Sequence, residues 1–145
     1  MAQRVSKQTH KLLGTWRLVE VADLVDGEWR YPYGEHPRGY LVYDASGRMH
    51  AQIMKTPERD NFPETDFIHG KLPTPEHALA IYRGYVAYFG TYTLDAKKSV
   101  VTHHVEGALM PDFIGTEQPR PFKLTGKRLE IGNGRTWRRV FEKVK

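Results

Sequence analysis

Cysteine is absent from the 145 residues. That excludes disulfides, thiolate metal centres, iron–sulfur clusters and a cysteine nucleophile. Serine is nearly absent: Ser6, Ser46 and Ser99 fall in an N-terminal arm, a turn and a strand start. Neither Gly-x-Ser-x-Gly nor a phosphate or dinucleotide loop occurs, which argues against a Ser-His-Asp hydrolase and against nucleotide chemistry. No apolar run approaches the roughly 18 residues of a membrane-spanning helix. The opening MAQRVSKQTHKLLGTW has no apolar secretory stretch, so the expectation is a soluble, cytoplasmic protein with no membrane partner. Formal net charge is +5, but the cations are dispersed as singles and pairs such as Lys97-Lys98 and Arg138-Arg139. Nucleic-acid surfaces cluster cations and interleave them with aromatics, so no nucleic-acid partner is expected.

Six Phe, three Trp and eight Tyr sit in a 39% apolar composition, enough for a substantial core. Residues 1–11 read as a polar arm and residues 12–145 as one domain. Strand-like segments run Leu12–Ala22, Glu28–Tyr31, Arg38–Asp44, Arg48–Met54, Thr91–Leu94, Lys98–Leu109, Pro119–Leu124, Arg128–Ile131 and Arg135–Val144. Turn signals such as Asp26-Gly27 and Ala45-Ser46-Gly47 separate them. Short hairpin connections point to an antiparallel meander, since parallel pairing needs long crossovers. Thr74-Pro75-Glu76 is a helix start, and Ala78, Ile81, Tyr82, Tyr85, Val86 and Phe89 form a helical stripe. The spacing predicts a helix over Pro75–Phe89, closed by Gly90. The Lys55–Thr74 stretch, with Pro57, Pro63 and Pro73, is a loop long enough to be a lid or binding loop. The fold expected is mainly β: a single antiparallel up-and-down barrel of about 8–9 strands, with one principal helix near its mouth.

Gly14-Thr15-Trp16 on the first strand, with Arg138 or Arg139 on the last, resembles the Gly-x-Trp and closing-strand Arg of the lipocalin superfamily. The segments Leu12–Val19, Pro32–Ile53, Arg83–Asp95 and Val101–Phe122 resemble, in order, the small lipocalin-like domain proteins of bacteria and fungi. The resemblance implies a barrel enclosing a pocket for a small apolar or amphipathic molecule, with Trp16 plugging the closed end and the Arg across its ring. Some barrels of this broad kind are cofactor-free cyclases or isomerases, and others only bind; fold alone does not choose.

Val101-Thr102-His103-His104-Val105-Glu106 is the most chemically loaded run. Strand alternation puts His103 with Val101 and Val105 on an apolar face, where it is either a general acid–base or an imidazole satisfied in a packed interior. His104 falls on the opposite face, so the pair is badly placed to share an ion. His50, Gln52 and His69 complete no ligand spacing either, and no metal or other cofactor is expected. Tyr43 and Tyr92 are the phenols best placed to polarise a ligand oxygen, and Arg120, between Pro119 and Pro121, is a candidate to meet developing negative charge. Tyr40, Met49, Ile53, Tyr85, Val101, Val105, Gln118 and Phe122 are candidate ligand contacts. The leading expectation is cofactor-independent acid–base chemistry of isomerase, cyclase or lyase type on the bound molecule. A binding protein is the rival, a filled barrel the third reading, and the pattern leaves room for a homodimer.

Overall fold

A computed structural model describes residues 10–57, 64 and 66–145. Most of the N-terminal arm, and the part of the Lys55–Thr74 loop that includes Pro63, lie outside the described residues. The strands are β1 (Gly14–Val25), β2 (Glu28–Arg30), β3 (Arg38–Tyr43), β4 (Arg48–Met54), β5 (Tyr85–Asp95), β6 (Val100–Ala108), β7 (Glu117–Thr125), β8 (Arg128–Gly132) and β9 (Trp137–Lys143). One helix, α1 (Pro75–Arg83), joins β4 to β5, and a single 3-10 turn at Pro111–Phe113 lies between β6 and β7.

All neighbours pair antiparallel in the order β1-β3-β4-β5-β6-β7-β8-β9, and β9 returns to β1. Eight strands therefore close into a barrel with no free edge, and β2 adds a ninth strand to the far end of β1. Alternation turns Trp16, Leu18, Leu41, Tyr43, Ala51, Tyr92, Val101, His103, Leu129, Ile131 and Phe141 inward, where all are buried. The β2–β3, β4–β5, β6–β7 and β8–β9 connections gather at one end, the mouth.

The helix is shorter than the spacing predicts. Thr74 caps it by accepting from the His77 backbone N–H, but Gly84, not Gly90, ends it, its N–H donating to the Ile81 carbonyl. Tyr85, Val86 and Phe89 belong to β5. The three- and four-residue spacing of Tyr82–Phe89 coincides with a strand alternation of Val86, Tyr88, Gly90 and Tyr92, and the aromatic, β-branched composition favours the strand. The α1 helix carries no buried residue and has no apolar seat that would extend it.

A bulge between Phe89 and Gly90 keeps β5 in step with β6. A Cβ at Gly90 would sit 1.9 Å from the His104 carbonyl oxygen, so the two backbones approach as only glycine allows. Gly90→Ala must part β5 from β6 beside His103, at an expected cost of about 1–3 kcal/mol. Urea unfolding of the variant checks this; an unchanged midpoint would mean that the bulge relaxes freely.

At the closed end, Trp16 is buried and its Nε1–H donates to the Leu12 carbonyl at 2.9 Å. The cation over its ring is Lys143, with Nζ 4.7 Å from the centroid, and neither of the arginines expected there. Arg138 instead stacks on Trp29 at 4.2 Å and pairs with Glu20 at 2.7 Å. Arg139 lies near Trp137 and pairs with Asp23 at 2.8 Å. The register explains the shift: Lys143 is the β9 residue opposite Trp16, whereas Arg138 and Arg139 face Ala22 and Val21 further up the strand.

Candidate functional site

A cavity of about 370 Å³ opens on the mouth side of the barrel interior. Its apolar wall is Leu41, Ala51, Ile53, Val86, Met110, Phe113, Ile131 and Phe141, and its polar groups come from Tyr33, Tyr88, His103, Arg120 and Arg139, with Trp137 alongside. Few polar groups converging on an apolar lining is the usual composition of a small-molecule site.

His103 forms part of the cavity floor and is 1% exposed. Both its nitrogens are engaged: Nε2 lies 2.7 Å from the Tyr43 hydroxyl and Nδ1 lies 2.8 Å from the Tyr88 hydroxyl. Burial, with the charges of Arg120 and His104 adding to it, pushes the His103 pKa down to about 3. The imidazole is therefore neutral, with one N–H and one lone pair. Tyr43 is fully buried, and among the described residues His103 Nε2 is the only acceptor within reach of its hydroxyl. Tyr43 thus donates to Nε2, the proton of His103 resides on Nδ1, and Nδ1–H donates to the Tyr88 oxygen. Among the described residues the Tyr88 O–H proton is left over, at a residue that lines the cavity. Burial raises the Tyr43 pKa well above its usual value and raises that of Tyr88, with Arg120 opposing the latter, so both phenols stay protonated.

The expected catalytic group is brought together, at different depths. Tyr43 and Tyr92 touch edge to face with centroids 4.8 Å apart, and Tyr43 and His103 are 5.6 Å apart. Tyr92, however, is below the cavity: its hydroxyl donates to the Asp44 carbonyl at 2.7 Å and meets His10 Nε2 at 2.8 Å. Burial raises its pKa to about 12. It ties the chain's approach to β1 across the barrel floor, while His103 and Arg120 line the cavity and Tyr43 braces His103 from beneath.

Of the expected ligand contacts, Ile53 lines the cavity. Tyr40 is 44% exposed and faces outward, because Leu41 and Tyr43 are the inward residues of β3. Tyr85 falls on the alternate face of β5 from Val86 and Tyr88. Met49, Val101 and Val105 are buried on the inner face without bordering the cavity. The Gln118 amide donates to the Thr116 hydroxyl at 2.8 Å. Phe122 lines a separate recess of about 740 Å³ at the closed end, beside His10, Leu12, Leu94 and Leu124. That recess is larger, but among the described residues only the mouth cavity meets the His103 network. Tyr88 is the residue the sequence reading misses, since a helix over Pro75–Phe89 sets it off the apolar stripe. The Val86/Tyr88/Gly90/Tyr92 alternation is the signal that finds it.

Among the described residues no group of three or more His, Asp or Glu is placed to hold a metal ion, and no helix is long and apolar enough to cross a membrane. A family model described as a lipocalin-like domain matches residues 13–141. A relative from Aspergillus oryzae, the 4'-hydroxy-3'-methoxypropiophenone carrier protein ppsC, is 33% identical over 91 residues, spanning 57% of this chain and 77% of its own length.

Proposed function

The chain belongs to the lipocalin-like domain family, and from that premise we propose that it binds and carries a small, flat, mainly apolar molecule bearing an oxygen acceptor, without transforming it. The observation that carries this reading is the Tyr88 hydroxyl. Its oxygen already accepts from His103 Nδ1–H, and among the described residues its proton is the one hydrogen-bond donor of the network with no protein acceptor. A ligand carbonyl or hydroxyl seated against Ala51 and Ile53 would take it. The relative named for carrying an aryl ketone fits this chemistry.

Acid–base turnover by His103 has less support. An imidazole held neutral, with both nitrogens occupied, has no lone pair facing the cavity and takes up no proton near neutrality. Its role here is to orient Tyr88. Arg120 and Tyr88 would then select and hold a ligand oxygen in its ground state.

The test is titration with 4'-methoxypropiophenone, followed by tryptophan fluorescence, with recovery of the ketone for mass spectrometry after long incubation. Saturable binding and unchanged ketone are expected. Tyr88→Phe should weaken binding by about 3- to 10-fold, the worth of one hydrogen bond. Absence of binding, or recovery of an isomer, would overturn the proposal.

A further inference from the structure

Among the described residues, the mouth cavity holds a positive charge that no carboxylate offsets. Arg30, Arg138 and Arg139 pair with Glu28, Glu20 and Asp23. Among the described residues Arg120 has no such carboxylate, and no Asp or Glu lines the cavity. Its guanidinium carbon lies 5.7 Å from the Trp137 ring centroid, and its charge acts on Tyr43, Tyr88 and His103. Pro119 and Pro121 flank it on β7, opposite Thr102 and Val100, and hold the backbone extended with Arg120 turned inward.

Arg120 hydrogen-bonds the neutral Tyr88 hydroxyl, which does not offset its charge, and a half-buried cation is costly unless it meets an anion. Arg139, the other cation at the cavity, is already neutralised by Asp23. Resting on the binding reading above, we infer that the ligand is bound as an oxyanion, a carboxylate or an acidic phenol or enol on a flat apolar scaffold. Its charged oxygen lies against Arg120 and accepts the Tyr88 proton. A neutral His103 directly beneath adds no second cation, so discrimination falls to Arg120. The guanidinium offers paired N–H donors that match a planar oxyanion, and the low dielectric of the cavity strengthens the contact.

Two probes of nearly the same shape separate charge from fit: 2-naphthoate and 2-acetonaphthone, measured by calorimetry on the whole chain at neutral pH. In the wild type the carboxylate should bind at least roughly tenfold more tightly than the ketone. Arg120→Gln should erase that preference by weakening the carboxylate at least about fivefold more than the ketone, and Arg120→Lys should retain part of it. A third probe, 4'-hydroxypropiophenone, distinguishes the source of the oxyanion, because its phenolate absorbs at longer wavelength than the phenol. A bound phenolate forming at lower pH in the wild type than in Arg120→Gln assigns the site to acidic phenols. A preference seen with 2-naphthoate alone assigns it to carboxylates. Ketone binding with no charge preference overturns this inference and leaves the carrier reading standing; failure of all three probes to bind overturns both.

Discussion

Lowering the pH from about 7 to about 5 should cost the protein about 2 kcal/mol of folding stability through His103 alone, and about 4 kcal/mol by pH 3. The sign follows from proton uptake. Folded, the imidazole binds a proton only near pH 3, whereas an unfolded histidine binds one near its ordinary value of 6.5. The unfolded chain therefore holds more protons across that window, and stability present above 6.5 is lost as pH falls. His103→Leu removes the slope and adds a different penalty, because the buried Tyr43 hydroxyl loses its acceptor. That penalty is about 1–3 kcal/mol and does not vary with pH here. The variant should thus be clearly weaker than the wild type at neutral pH, and the two should converge near pH 5. His10, whose pKa burial also lowers, is common to both proteins and cancels in the comparison. Urea unfolding at three pH values reads the result directly; parallel wild-type and variant curves would sink the account of a neutral, tyrosine-clamped imidazole. Adding Tyr43→Phe to His103→Leu should recover about 1 kcal/mol or more, since a buried pair removed together leaves nothing unsatisfied.

The inward placement of His103 was legible because strand alternation fixes faces, and Val101 and Val105 mark which face is apolar. The barrel was legible for the same reason, since most of its turns carry their own glycine and aspartate signals. Two kinds of information were not. One is face and depth: period-two patterning groups Tyr43 with Leu41 and Tyr40 with Val42 without choosing the inward pair, and it does not say which of Tyr43, Tyr92 and Arg120 lie at the floor and which at the mouth. Register decides that, pairing Tyr92 with His103 and Val101 with Arg120. The other is the helix–strand boundary at Gly84. Apolar residues three and four apart satisfy both periods over a short window, and the reading that extended the helix hid Tyr88. The cation on Trp16 escaped for a related reason, as resemblance supplied an arginine where the register of β9 supplies Lys143.

The substitution with the largest expected effect on binding is Ala51→Phe. Ala51 is buried on β4, opposite Leu41 on β3 and Tyr88 on β5, with its methyl group at the cavity wall. A phenyl ring there enters the roughly 370 Å³ space beside Tyr88, where a ligand would sit. Affinity for neutral and anionic probes alike should fall by roughly a hundredfold or more, with stability changed by no more than about 1–3 kcal/mol. This differs in kind from Arg120→Gln, which should weaken the charged probe far more than the neutral one. Tyr40→Ala supplies the control, since Tyr40 lies on the neighbouring strand one residue before Leu41 but faces outward, and its removal should leave affinity unchanged. The pair of variants therefore tests the face assignment as well as the cavity. If Ala51→Phe binds as the wild type does while remaining folded, the ligand sits elsewhere, and the recess beside Phe122 at the closed end becomes the site to probe. Loss of binding in Ala51→Phe but not in Tyr40→Ala would tie recognition to the floor that Tyr43, His103 and Tyr88 build.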